Sequence, residues 1–414
     1  MFFVYNILIN LIIFISPIII LIRLIKNKEH KSRFKEKFSF FSKKRGNGKL
    51  IWFHGSSVGE ILSIIPLIEE LEKNKSINKI LVTSSTLSSS KILTKFKFKK
   101  TIHQFFPIDS NYFTKKFLNY WKPSMALFIE SEIWPNMIKN IKQKSIPLIL
   151  LNARITKKTY NKWKFIPSVS KILFDNFDIC LPQNYETKKY LKLLGAKKIK
   201  LIGNLKFSEN KNKQFEKTNN KLKKILKSKK IWCAASTHNN EEKICALVHK
   251  ELKKKYKNLL TIIIPRHVQR CNVIYNEISD MNLKIQNHSS YNFIKKDTDI
   301  YLVDTYGETK SFFKICKTVF LGGSIINRGG QNPLEAARFG CKILHGPNIQ
   351  NFTEVYKLLN NNNISSKFYN INQLTNLVSK SLDQNVNLSK KIVKLKKIGS
   401  KILNNTLSEI NHFL

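Results

Sequence analysis

Three carboxylates and one arginine sit where group-transfer chemistry would need them. Glu60 ends the glycine-punctuated run His54-Gly55-Ser56-Ser57-Val58-Gly59, which follows the apolar stretch Leu50–Phe53. A carboxylate after a tight loop, beside glycines that admit a substrate, can take the proton from a hydroxyl as general base. A glutamate in the first turn of a helix also simply complements the helix dipole, and spacing on its own favours that plainer role. Glu130 and Glu132 stand two apart at the end of Ala126–Ile129, so in an extended chain they point to different sides. One can then position or polarise reactants while the other serves the structure, and Arg154, after a further strand end, can pair with either.

The second half carries an anion-binding pattern. Val319 to Gly340 reads as strand, glycine turn, polar loop and helix start, with Gly322-Gly323 and Gly329-Gly330 leading to Asn332-Pro333-Leu334-Glu335. Asn suits a helix N-cap, Pro the first helical position and Glu the first turn. Glycines let backbone approach an anion, and a helix start offers unpaired N–H groups. An ordinary strand–turn–helix crossover has the same outline. Glu335 inclines the reading toward a nucleotide or sugar hydroxyl, and Arg266, just beyond the strand Leu259–Ile264, suits the charge of a departing phosphate.

Short apolar strands must position these groups. Leu50–Phe53, Ile80–Thr83, Ala126–Ile129, Pro147–Leu151 and Cys180–Gln183 alternate with helical stretches, and the pattern restarts at Ile231–Ala235, Leu259–Ile264, Ile300–Val303 and Val319–Leu321, with one more strand ahead of His345-Gly346-Pro347. That alternation predicts an α/β fold with two Rossmann-like parallel sheets, ligands lying beyond the strands' carboxyl ends. Two such domains facing a cleft are the GT-B architecture of nucleotide-sugar transferases. No Asp-x-Asp or His/Cys ligand pattern appears, so neither a catalytic metal nor another cofactor is expected.

The chain of 414 residues has a formal net charge of +46. Such a surplus favours anionic partners. Lys, Asn and Ile are abundant throughout, however, as in a protein from an AT-rich genome, and no nucleic-acid-binding signature is present, so no nucleic-acid partner is expected. Six cysteines without a CxxC pair argue against a disulfide framework and for a reducing compartment. Met1 to Ile22 holds no charged residue and is long enough for a bilayer-spanning helix, the alternative being a buried core helix. Ten Lys/Arg lie between Arg23 and Arg45 against Glu29 and Glu36, which keeps that side cytoplasmic. Phe34, Phe38, Phe40 and Phe41 among those cations fit a segment lying on an anionic leaflet.

In order, the motifs WFHGSSVGE (52–60), ESEIWPN (130–136), NARIT (152–156), GNLKF (203–207), ASTHNNEE (235–242), PRH (265–267), DTYGE (304–308) and GGSIINRGGQNPLEAA (322–337) resemble the 3-deoxy-D-manno-octulosonic acid (Kdo) transferases over nearly the whole chain. The resemblance implies a metal-independent, inverting GT-B enzyme with CMP-Kdo as donor and the lipid A precursor lipid IVA as acceptor, at the cytoplasmic side of the inner membrane. It implies Glu60 as the base, with Glu130 and Lys206 assisting the transition state. It places CMP contacts at Pro265 and Arg266, at Gly307, Glu308 and Thr309, and at Asn332, Pro333, Leu334 and Glu335. Two positions depart from the family pattern: Gln331 replaces a histidine, and Thr309 a larger apolar residue.

The expected layout is an anchor helix (1–25), a basic juxtamembrane segment (26–48), an acceptor domain (49–209), a lysine-rich linker (210–230) and a donor domain with C-terminal helices (231–414). Two other readings remain at this point. Another GT-B nucleotide-sugar enzyme fits the strand-end motifs, although a sugar epimerase would lack the anchor. A membrane-tethered binder of RNA or anionic lipid fits the charge but leaves those motifs without a use.

Overall fold

A computed structural model describes residues 2–208, 228–290, 294–384 and 389–414. Most of the lysine-rich stretch 210–230 lies outside them. The chain divides into two compact units, the first formed by Met1–Asn210 with Lys397–Leu414 and the second by Lys211–Lys396.

In the first unit, strands β1 (Leu50–His54), β2 (Lys79–Ser84), β3 (Thr101–Phe105), β4 (Met125–Ile129), β5 (Leu148–Ala153) and β6 (Ile179–Pro182) form one sheet in the order β3-β2-β1-β4-β5-β6. Every pairing is parallel. Side chains alternate across it: Leu50 and Trp52 of β1 enter one core layer, Ile51 and Phe53 the other. Both faces are covered, which is why these strands read as continuous apolar runs. The helices are α1 (Phe2–Ile25), α2 (Val58–Lys73), α3 (Leu87–Leu93), α4 (Asn111–Trp121), α5 (Pro135–Gln143), α6 (Lys157–Lys164), α7 (Pro167–Asp175) and α8 (Tyr185–Leu193).

The second unit has β7 (Lys230–Thr237), β8 (Leu259–Pro265), β9 (Ile285–Asn287), β10 (Ile300–Leu302), β11 (Thr318–Leu321), β12 (Lys342–His345) and β13 (Ser365–Lys367), in the order β13-β12-β11-β7-β8-β10-β9. These pairings are also all parallel. Its helices are α9 (Glu241–Lys255), α10 (Cys271–Ser279), α11 (Thr309–Phe313), α12 (Leu334–Arg338), α13 (Thr353–Asn361) and α14 (Ile371–Asp383), followed by α15 (Ser389–Asn411). The strand order reverses between β1 and β4 in the first sheet and between β7 and β11 in the second, where β10 also lies inside β9 at one edge, and ligands of open parallel sheets bind at central switch points of this kind.

Three strands escaped the sequence reading: β3, β9 and β13. All three are sheet edges, short and rich in polar residues, because an edge strand is not fully enclosed. The aromatic residues expected to lie free on a leaflet are mostly engaged with protein. Phe38 packs edge-on against Phe113, and Phe41 stacks on Tyr120 at 3.8 Å, whereas Phe40 is 56% exposed.

The C-terminal residues were expected in the second domain, but those from Lys397 onward pack on the first. Ile402 and Ile410 are buried in the core layer that holds Phe53 and Ile129. Gly399 lets α15 approach the backbone of the Leu205–Phe207 turn: a Cβ there would stand 2.3 Å from the Phe207 carbonyl oxygen. Gly399→Ala is therefore expected to cost about 1–3 kcal/mol of unfolding free energy through forced overpacking, measured by urea denaturation. An unchanged midpoint would show that this contact does not hold the helix in place.

Candidate active site

The first unit's site grows from the ends of β1 and β4. After His54 the chain turns through Gly55, where a Cβ would meet Ile129 at 2.9 Å and the Glu60 carboxylate at 3.3 Å. Only glycine leaves Glu60 room to fold back. Its Oε2 accepts from the Ser56 N–H at 2.7 Å and its Oε1 from the Ser57 hydroxyl at 2.8 Å, while the Glu60 N–H donates to Ser57 Oγ at 3.2 Å. This is a reciprocal cap at the start of α2. The helix-start reading of Glu60 is therefore realised in this geometry. Burial, then the negative charge of Glu132 and also that of Glu130, push its carboxyl up to about 7. A group of that acidity is half ionised near neutrality, as a general base should be.

Glu130 and Glu132 have different partners. Glu130 terminates β4 in the left-handed region at φ 56°, with its N–H donated to the Leu151 carbonyl and its own carbonyl accepting from Arg154 N–H. Such a conformation in a residue other than glycine is strained and is held by its surroundings. Its carboxylate pairs with Lys206 Nζ at 2.6 Å. Asn152 of β5, also left-handed at φ 50°, accepts from Leu205 N–H at 3.0 Å and so places the turn that carries Lys206. Glu132 accepts from Trp134 Nε1 at 2.7 Å and lies 3.1 Å from Nε2 of the buried His54. Burial opposes its charge, but these donors and the Ser56 hydroxyl outweigh it and keep the carboxyl below its usual range. His54 is fixed in turn by Thr83 Oγ1 at 3.0 Å and by stacking on Phe106.

A fourth acid, Asp109, was not singled out from the sequence. Its carboxylate accepts from the N–H groups of Asn136 and Met137 at 3.0 and 2.8 Å. Trp134, at the N-cap of α5, has no capping side chain, and Asp109 supplies one from a separate loop. No local pattern announces a cap delivered from 27 residues away.

In the second unit the glycine loop is organised differently from expectation. The Gly323, Ser324 and Ile325 N–H groups all donate to the fully buried Glu241 carboxylate at 2.7–3.2 Å, as does His238 N–H at 2.9 Å. A protein carboxylate thus occupies donors that the sequence had offered to a ligand. Gly322 is required for this: a Cβ would lie 2.4 Å from the Ser236 carbonyl and 2.7 Å from Glu241. The helix expected to open at Pro333 begins at Leu334, with Pro333 as its cap residue, and α12 has five residues. Asn332 accepts from Leu334 N–H at 3.1 Å.

What remains for an anion is a set of cations. Arg266 follows the buried Pro265, is exposed, and its guanidinium has no partner among the described residues. Its backbone N–H donates to Thr237, next to His238. Burial, then the charges of His267, Arg328, Arg266 and Arg270, hold the His238 imidazole below its ordinary proton affinity. Arg270 is neutralised by Glu242 at 3.0 Å, whereas Arg328 is exposed and has no side-chain partner among the described residues. Gln331 lies 3.4 Å from His238. Gly307 turns at φ 92° before Glu308, which pairs with His288 at 2.7 Å, and Thr309 opens α11. Glu335 pairs with Lys310 at 2.9 Å, which links the Gly307–Thr309 and Asn332–Glu335 segments. No hydrogen bond or ion pair among the described residues joins Arg266 to either glutamate.

Residues 32–209 match the family described as 3-Deoxy-D-manno-octulosonic-acid transferase (kdotransferase). The 3-deoxy-D-manno-octulosonic acid transferase of Rickettsia bellii is 34% identical over 401 residues, covering 96% of each chain. That of Haemophilus influenzae is 28% identical over 81% of this chain and 79% of its own. Among solved structures, UDP-GlcNAc 2-epimerase from Neisseria meningitidis, bound to UDP-GlcNAc, superposes with a TM-score of 0.56 at 14% identity, covering 88% of this chain and 99% of that one, a likeness of fold. With two parallel-sheet Rossmann-like domains of the GT-B class and a relative this similar from end to end, the chain belongs to the Kdo transferase family of glycosyltransferases.

Proposed function

We propose that the protein transfers Kdo from CMP-Kdo to lipid IVA by an inverting displacement, with Glu60 as the general base. The observation that carries this reading is the Glu60 carboxylate, held by Ser56 and Ser57 at a switch point and half ionised near pH 7. As the acceptor hydroxyl attacks the anomeric carbon, Glu60 takes its proton. Glu130 and Lys206 act as a pair, the buried carboxylate fixing an ammonium that stabilises developing negative charge. Glu132, committed to His54 and Trp134, stays ionised and keeps the acidity of Glu60 low.

The donor reading belongs to the second unit. Arg266, beside Pro265, is the cation assigned to the phosphate of CMP, with Gly307, Glu308 and Thr309 and the Asn332–Glu335 segment contacting the nucleotide. The amides of Gly323 to Ile325 serve Glu241, so side-chain cations carry the phosphate's charge. The acceptor is a lipid, and helix α1 is long and apolar enough to cross a membrane. We assign the enzyme to the cytoplasmic side of the inner membrane, where holding a lipid acceptor at a surface lowers the entropic cost of encounter.

The test is transfer in vitro: detergent-solubilised protein, CMP-Kdo generated in situ and lipid IVA, with products read by mass. Mass gain in Kdo units is expected; no gain from folded protein that binds CMP would move the proposal to another sugar or acceptor. Glu60→Gln is expected to lose at least about 100-fold in turnover while retaining CMP binding. Glutamine still serves as a helix-start partner for Ser57, so the loss would not be one of folding. The acidic limb of the wild-type rate profile should lie near pH 7, because protonation of Glu60 below that value removes the base. Glu132→Gln removes a neighbouring negative charge and should move that limb to lower pH, and a limb that stays in place would assign it to another group.

A further inference from the structure

Helix α1 has two opposite faces and two tethered ends. Ile9, Ser16 and Ile20 are buried, at 5–8% exposure, and lie on one side of the helix at 100° per residue. Half a turn away, Ile7, Leu11, Phe14, Ile18, Leu21 and Ile25 form an outer stripe, each 52–83% exposed and none polar. Near the first end, the Tyr5 hydroxyl donates to the Asp109 carboxylate at 2.7 Å and Asn136 Nδ2 donates to Asn6 Oδ1 at 2.8 Å. Near the last end, Arg23 pairs with the buried Glu29 at 3.0 Å, and Glu29 with Lys37 at 2.5 Å. The Lys37 carbonyl accepts from Ile108 N–H at 2.9 Å, one residue before Asp109, and Glu36 accepts from Phe105 N–H at 2.8 Å. Both ends of the helix therefore return to the Phe105–Asp109 segment of the same unit.

A crossing helix cannot satisfy these contacts. Tyr5 and Arg23 are separated by 18 residues, about 27 Å of helix, which nearly equals the roughly 30 Å of a bilayer's hydrocarbon. Threading α1 across would carry Tyr5 and Asn6 to the side opposite Asp109 and Asn136, breaking both bonds and leaving two polar side chains to cross hydrocarbon. We propose that α1 is an in-plane, monotopic membrane helix, which stays on the first unit and sinks its outer stripe into one leaflet of an anionic phospholipid bilayer. The occupant follows from charge as well as apolarity. The exposed Lys26, Lys28, Lys31 and Lys35 continue directly from the helix, and cations beside an apolar face are what acidic headgroups attract. The proposal rests on the membrane attachment proposed above.

It is tested with the full-length protein carrying a short hydrophilic leader with a single cysteine ahead of Met1. The six native cysteines are buried and give little background. A second version, Lys44→Cys without the leader, reports the side on which the exposed basic segment lies. A membrane-impermeant maleimide is applied to intact spheroplasts and to inverted inner-membrane vesicles. In-plane attachment predicts that both cysteines are labelled in inverted vesicles, with at most a few per cent labelled in spheroplasts. Leader labelling in spheroplasts while Lys44→Cys reacts only in vesicles would overturn the in-plane helix and leave membrane attachment standing. Recovery of the protein in the soluble fraction would remove both.

Discussion

Three carboxylates crowd the carboxyl ends of two adjacent strands, and their mutual repulsion is the constraint that the first unit's site answers. Glu130 is answered by a lysine at 2.6 Å, and Glu132 by an indole N–H and a buried histidine. Glu60 has only a backbone amide and a hydroxyl, neither carrying charge. The uneven distribution of partners makes one acid of three respond to protons near neutrality. Burial and the two neighbouring charges act together on Glu60, and removing the Glu132 charge takes away the larger of the two charge contributions while burial still holds the carboxyl up.

The second unit meets the opposite requirement, an excess of positive charge that stays available. Its glycine loop carries amides turned toward an anion, but Glu241 fills them from within. A buried carboxylate surrounded by amide donors makes the loop rigid without a ligand. The exposed guanidinium groups of Arg266 and Arg328 are then the cations open to an anion, and after burial and His267 their charges help to hold His238 below its ordinary proton affinity.

Much of this was legible in the sequence because parallel strands enclosed on both faces are written as unbroken apolar runs. β1, β4, β8 and β11 were found that way, and the polar residues at their ends followed. Three of the four edge strands, β3, β9 and β13, were not found, since they lack that enclosure. Glu60 and Arg266 were legible from their position after a strand. Lys206 became a candidate only through family resemblance, because its placement depends on Asn152, in a left-handed conformation and bonded to Leu205 across 53 residues. Asp109 and Glu241 act across 27 and 82 residues, and no local spacing encodes such contacts. Glu241 also shows the hazard of reading a glycine loop by its outline, since the identical pattern serves an external or an internal anion.

The last helix has a consequence for how the molecule is made. The first sheet is complete by Pro182, yet one of its core layers lacks Ile402 and Ile410 until the final residues have been synthesised. During translation the first unit must wait, with an apolar surface open, while the whole of the second unit emerges from the ribosome. A nascent chain arrested between Lys367 and Lys397 would carry a complete second sheet and a first sheet with one core layer still open. Quality control acting on exposed apolar surface could therefore recognise truncated copies by their older half.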